Sequence, residues 1–281
     1  MSGANQEQAE FWEALAPLWL ASEDHVTVIS ARFGAPAMEL LELQPGQRVL
    51  DVGCGSGATT CALAGQVGPD GEAIGADIAP SMVAAATDRA RSLGCGNARF
   101  EVADAQADEL GPEAYDAVFS QFGVMFFADP AAAFANLRRS LTPGGRLAFV
   151  CWQSIFDNEW MFVPAAAAVS VTGELPPMPG PGEPGPFSLS EPGRVEAVLT
   201  EAGYTGIEVT PLNETIVLPE AGIPSMVESA QRVGAVREAL RVADAETTER
   251  IVAAVSAALV ERVVDGQLSL TGGVLLVRAR P

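Results

Sequence analysis

The sequence contains no lysine; all 16 of its basic residues are arginine. That absence excludes every mechanism needing a lysine amine: pyridoxal Schiff bases, the P-loop lysine and the tyrosine–lysine pair of short-chain dehydrogenases. Histidine is confined to His25. Cys54, Cys61, Cys95 and Cys151 show no C-x-x-C spacing, so no zinc set can be assembled and no metal is expected. Uninterrupted apolar runs of membrane length are missing, and the N-terminal MSGANQEQAE is too polar for a signal peptide, which predicts a cytoplasmic protein without a membrane span. Positive charge is scarce: 36 acids give a net charge of −20, a field that repels phosphate polymers and excludes nucleic acid as a partner.

What remains is globular. With 48% hydrophobic and 19% charged residues, a chain of 281 residues has apolar material for one large α/β domain with embellishments. Its organising stretch is Arg48 to Gly57, RVLDVGCGSG. Val49, Leu50 and Val52 surround a single acid, Asp51, and run into Gly53, Gly55 and Gly57. Such a pattern ends a buried parallel strand in a turn where backbone approaches a ligand, with a helix, Ala58 to Val67, following at once. The amides of that turn form a donor-rich rim.

Two ligand classes use such a rim. Gly53, Gly55 and Ala58 fit the dinucleotide fingerprint G-x-G-x-x-A, with Asp77 near the place of a ribose-binding acid, which leaves an NAD-dependent oxidoreductase as one reading. Asp51 points elsewhere. A carboxylate directed into the rim repels pyrophosphate and suits a ligand with an ammonium group.

The remaining strands repeat the arrangement. Glu72 to Asp77 and Arg99 to Ala103 read as strands two and three, ending at Asp77 and leading to Asp104, with a helix from Ser81 to Leu93 between them. Tyr115 to Gln121 is strand four, Asp129-Pro130 opens a helix to Ser140, and Arg146 to Trp152 is strand five. The form D-x-G-x-G-x-G, the three acids at successive strand ends, and the wording YDAVFSQFGVMFFADP followed by LTPGGRLAFVCW resemble the class I S-adenosylmethionine (SAM) methyltransferases, in particular the small-molecule and quinone-biosynthesis type.

The resemblance implies a Rossmann-like α/β fold, a seven-stranded mostly parallel sheet with an antiparallel last strand and helices on both faces. It implies SAM as cofactor, S-adenosylhomocysteine as product and a small, largely apolar acceptor methylated on oxygen or carbon. The cofactor-binding positions carried over are Asp51, Gly53, Gly55, Gly57, Asp77, Ile78, Met82, Asp104, Ala105, Ser120 and Gln121. Of these, Asp77 would hold the ribose hydroxyls, Met82 rest on the adenine, Asp104 and Ala105 read its edge, and Ser120 and Gln121 lie beside the methionine part. A SAM-binding protein without turnover is a further alternative.

Around this core, residues 1–44 read as an N-terminal helical cap, broken or kinked at Pro17, with Ser22 as N-cap of a second helix. Residues 45–152 are the cofactor core and 153–190 a lid, since GELPPMPGPGEPGPFSLSEPG is too rich in proline and glycine for regular structure. Residues 191–281 complete the core, with two strand pieces over Ile207 to Leu218 and a helical insertion over 221–265. Trp19, Trp152, Phe156, Trp160 and Phe187 are candidates for lining the acceptor pocket, and His25 is the candidate general base. The sequence leaves a homodimer open.

Overall fold

The computed structural model describes residues 3–175, 179 and 182–281, of which residues 3–4 and 23–28 are described by backbone alone. Strands β1 (Arg48–Val52), β2 (Glu72–Asp77), β3 (Ala98–Val102), β4 (Tyr115–Gln121) and β5 (Leu141–Trp152) pair in parallel. Then β6 (Thr205–Pro219) and β8 (Gln267–Arg280) complete the order β3-β2-β1-β4-β5-β8-β6. The last strand runs antiparallel to both neighbours, and the two-residue β7 (Val263–Val264) forms a hairpin with it. The chain reverses its direction of strand addition between β1 and β4, and in open α/β sheets ligands bind at the carboxyl ends beside that switch.

The central strands are apolar because both of their faces are covered. Leu50, Phe119 and Phe149 are fully buried, and each such side chain contributes roughly 1.5–3 kcal/mol by leaving water. The covering helices are α2 (Glu23–Glu39), against β4, β5 and β8, α3 (Ala58–Val67), against β1 and β2, and α4 (Pro80–Leu93), against β2 and β3. On the other half, α5 (Pro130–Ser140) meets β5, and α7 (Pro192–Glu201) meets α5 and β6. A second apolar cluster joins α6 (Glu159–Thr172), α8 (Ile223–Arg232), α9 (Ala235–Leu240) and α10 (Ala245–Val260) to Leu268 and Leu270 of β8.

Several local expectations give way to tertiary packing. Helix α1 (Gly3–Ala21) runs through Pro17 without ending. Trp12 and Ala16 before the proline and Trp19 and Leu20 after it all pack on Ala79 and Met82, which holds both halves in line. Ser22 does not cap α2 with its side chain; its hydroxyl donates back to the Leu18 carbonyl at 2.9 Å. Residues 159–172, expected inside the lid segment, are helix α6 packed on α10. The two strand pieces over 207–218 are one strand, whose Pro211 is tolerated because β6 is the sheet edge. No helix among the described residues is long and apolar enough to cross a membrane.

Candidate cofactor and active site

The glycine turn after β1 is shaped by contacts that forbid side chains. Gly53 has φ +69°, and a Cβ there would lie 2.9 Å from the Gly123 Cα, so the ends of β1 and β4 touch through backbone. Gly55 has φ +52°, and a Cβ there would meet nothing within 4 Å, so this amide stands at the edge of open space. Its N–H donates to Asp77 Oδ2 at 2.9 Å, while Asp77 Oδ1 accepts from the Ala79 amide at 3.0 Å. Burial raises the Asp77 pKa, the amides of Ala79, Gly55 and Ile78 oppose that rise, and the nearby Glu13 adds to it.

Asp51 is fully buried. Its Oδ2 accepts from the hydroxyls of Thr59 and Thr60, both at 2.6 Å, whereas its Oδ1 has no donor among the described residues. Desolvation pushes its pKa up to about 6 against the pull of the two threonines. A buried carboxylate oxygen without a donor costs about 1–3 kcal/mol, a deficit that a ligand's ammonium group would remove. Together with the open edge at Gly55, this fits SAM.

At the third strand end, Asp104 is buried; its Oδ1 accepts from the Gln106 amide at 3.0 Å, and its Oδ2 accepts from the Asn5 carboxamide. Ala105 is buried beside it. Met82 is buried beneath α1 with Ala16 and Ala79. Ser120 is turned inward: its hydroxyl donates to the Val52 carbonyl at 2.8 Å and accepts from the Gly123 amide at 3.2 Å. Its contribution to the site is to lock the β1 and β4 ends together. Gln121 lies against α2, where a Cβ on Gly34 would sit 1.6 Å from its Oε1.

Ser81, where the sequence starts the helix, lies in the first turn of α4. Glu13 of α1 accepts both its amide, at 3.0 Å, and its hydroxyl, which lowers the Glu13 pKa. Asn5, Glu13, Thr59, Thr60 and Gln106 therefore touch the candidate site, although the sequence reading picked out none of them as site residues. Only the threonines had a local signal, at the first turn of the helix after the glycines.

Aromatic side chains gather where β4 and β5 end. Phe122, in the left-handed region at φ +62°, stacks on Trp152 with centroids 3.9 Å apart and planes 8° apart. Phe33 meets Trp152 edge-on at 5.5 Å, and Trp160 lies 5.3 Å from it. Asn158 fixes Trp160: it accepts the indole N–H at 3.3 Å while bonding the amide and carbonyl of Gly273, each at 3.0 Å.

The other lining candidates are elsewhere. Trp19 joins Trp12 over Met82. Phe156 is 75% exposed on a 3-10 turn, against Phe162, so it does not line an enclosed pocket. Phe187 packs on the main core without a ring contact to the Trp152 group among the described residues. Its segment is pinned under β4's end, where Gly185 N–H and the Ser188 hydroxyl both donate to the Met125 carbonyl. The side chain of His25 lies outside the described residues, as do residues 176–178 and 180–181 of the expected lid.

A family model for the methyltransferase domain matches residues 49–145, the segment from β1 into β5. Nocamycin O-methyltransferase of Saccharothrix syringae is 30% identical over 199 residues, covering 68% of this chain and 70% of that enzyme. The chain belongs to the SAM-dependent methyltransferase family. As a methyltransferase of this family it uses SAM as cofactor. Aklanonic acid methyltransferase of Streptomyces sp. (strain C5) is 36% identical over 116 residues, with 41% of this chain matched to 53% of that enzyme. Among solved structures, the [4+2]-cyclase SpnF aligns over 99% of this chain and 97% of its own with a TM-score of 0.58 and 19% identity, a likeness of fold alone.

Proposed function

We propose that this methyltransferase acts on a small, uncharged, largely apolar acceptor and methylates it on oxygen or carbon. The observation that carries this reading is the aromatic group of Phe33, Phe122, Trp152 and Trp160 at the carboxyl ends of β4 and β5. The arginines on the parallel strands, Arg48, Arg99 and Arg146, sit in the first half of their strands, away from that end, and Arg278 pairs with Glu208. An anionic acceptor would find no cation among the aromatic side chains that line this group. The matched nocamycin enzyme is by name an O-methyltransferase, which agrees with an oxygen acceptor.

In this reading Asp51 faces the ammonium group of the cofactor, Asp77 its ribose, Asp104 and Ala105 its adenine, and Gln121 its methionine part. Gly53, Gly55 and Gly57 let the backbone approach, and Ile78 and Met82 give apolar contact. The cofactor supplies an activated methyl group; the protein's task is to hold it beside the acceptor and exclude water, and orientation alone supplies much of such a rate. For a phenol or enol acceptor His25 is the proposed base. Residues 1–44 act as a cap, 45–152 as the cofactor core, 153–190 as acceptor-side cover and 191–281, with its helical insertion, as the rest of the core.

Incubation with methyl-labelled SAM and two acceptor panels, phenolic or enolic polycyclic compounds against phosphorylated and carboxylated amines, tests the acceptor class. Label should pass to the first panel. Transfer confined to the second would contradict the reading.

A further inference from the structure

Helix α1 crosses the carboxyl ends of β3, β2 and β4. Asn5 reaches Asp104 after β3, Glu13 holds Ser81 beside the end of β2, and Trp12 packs edge-on against Phe126 after β4, with ring centroids 4.8 Å apart. The contact at Asn5 has a specific chemistry. Its carboxamide N–H donates to Asp104 Oδ2 and its Oδ1 accepts from Gln106 Nε2 at 3.0 Å. Gln106 is itself fixed from both sides, its backbone amide on Asp104 Oδ1 at 3.0 Å and its Oε1 on the Asp129 amide at 2.9 Å.

A carboxamide presents an NH2 donor next to a carbonyl acceptor. The edge of adenine presents the same pair, its exocyclic amine beside a ring nitrogen. Asn5 is 3% and Asp104 4% exposed, so nothing else can reach that carboxylate while Asn5 is on it. The closed arrangement also leaves a defect: Gln8, one turn further along α1, has its Oε1 buried without a donor among the described residues. Such a group costs about 1–3 kcal/mol, which keeps the closed form within reach of opening.

We propose that α1 is a latch on the adenine subsite, with the Asn5 carboxamide occupying, in the cofactor-free protein, the place that the adenine edge takes on Asp104. The inference rests on the assignment of Asp104 to adenine given under Proposed function. SAM and S-adenosylhomocysteine then bind only the fraction of molecules in which α1 has lifted, and the apparent affinity is lowered by that fraction. Trp12 and Trp19 ride on the moving helix and report its position.

The test is stopped-flow tryptophan fluorescence of S-adenosylhomocysteine binding to the full-length wild type, Asn5→Ala and Asn5→Asp. Alanine removes the surrogate, and aspartate sets a like charge against Asp104. Both should raise the association rate constant, by about tenfold if the open fraction of the wild type is near one in ten, with dissociation altered less than twofold. Unchanged association in both variants overturns the latch while leaving the cofactor assignment intact. Faster dissociation with unchanged association also overturns it, because Asn5 would then be holding the bound cofactor. No binding to any of the three proteins overturns the cofactor reading together with the latch.

Discussion

The Gly55 amide donates to Asp77 Oδ2 at 2.9 Å, so the glycine turn after β1 and the acid that ends β2 are one hydrogen-bonded unit. Asp77 fixes the rim, and in the proposed reading it also presents a carboxylate to the ribose of the cofactor. Asp77→Ala removes both. S-adenosylhomocysteine affinity should fall at least tenfold, the equivalent of about 1.4 kcal/mol, with titration calorimetry as the readout. An unchanged affinity would remove Asp77 from the site.

Asp51 gives a pH signature. Its folded pKa of about 6 lies above the unfolded reference of 3.8, so between those values the folded protein holds a proton that the unfolded chain has released. Stability from this group is therefore full below about pH 4 and lost as the pH rises through 6, at a cost of about 3 kcal/mol once the group is charged. Asp51→Asn should make the protein more stable near pH 7.5, with the gain shrinking as the pH falls below 6 and gone below about pH 4, compared by urea melts of the two proteins. The same substitution should weaken cofactor binding, and wild-type affinity should drop as the pH falls below 6. A stability difference independent of pH would contradict this account.

Gly34 in α2 leaves room for Gln121. Alanine there should add about 1 kcal/mol of helix propensity, yet its Cβ would sit 1.6 Å from Gln121 Oε1 and must push that side chain aside. Gly34→Ala should thus keep its melting temperature within a few degrees while binding S-adenosylhomocysteine severalfold more weakly and free adenosine unchanged. Equal losses for both ligands would place Gln121 away from the methionine part.

Phe122 holds a left-handed backbone that costs of order 1 kcal/mol in a residue other than glycine, and its ring lies flat on Trp152. Phe122→Ala should raise the KM for the acceptor about tenfold with S-adenosylhomocysteine affinity unchanged. Asn158→Ala, which frees Trp160 and takes the Asn158 acceptor from the Gly273 amide while the Gly273 carbonyl keeps the Gln153 amide, should do the same and also destabilise the fold by about 1–3 kcal/mol. Loss of cofactor binding in Phe122→Ala would move the stack out of the acceptor site.

The strand ends were legible because their chemistry is local. Asp51, Asp77 and Asp104 each stand at or just beside the carboxyl end of a strand, and parallel pairing brings them to one edge whatever the rest of the chain does. Asn5 and Glu13 were not, since a polar helix residue carries no sign that its partner stands 99 or 68 positions away. Pro17 misled because its disruptive effect is local, while the apolar contacts that keep α1 straight come from Ala79 and Met82. Phe156 and Phe187 shared the lid's composition with Trp160, but only Trp160 has Asn158 to aim it. Periodicity identifies an apolar residue without telling which of three apolar clusters it joins.

The most direct test of the central claim is calorimetric titration of the purified wild type with S-adenosylhomocysteine, with NADH in a parallel cell. The arrangement of Asp51, Asp77 and Asp104 around the glycine turn predicts micromolar binding of the first and none of the second. Binding of NADH without S-adenosylhomocysteine would contradict it, and would mean that the buried Asp51 carboxylate does not face an ammonium group.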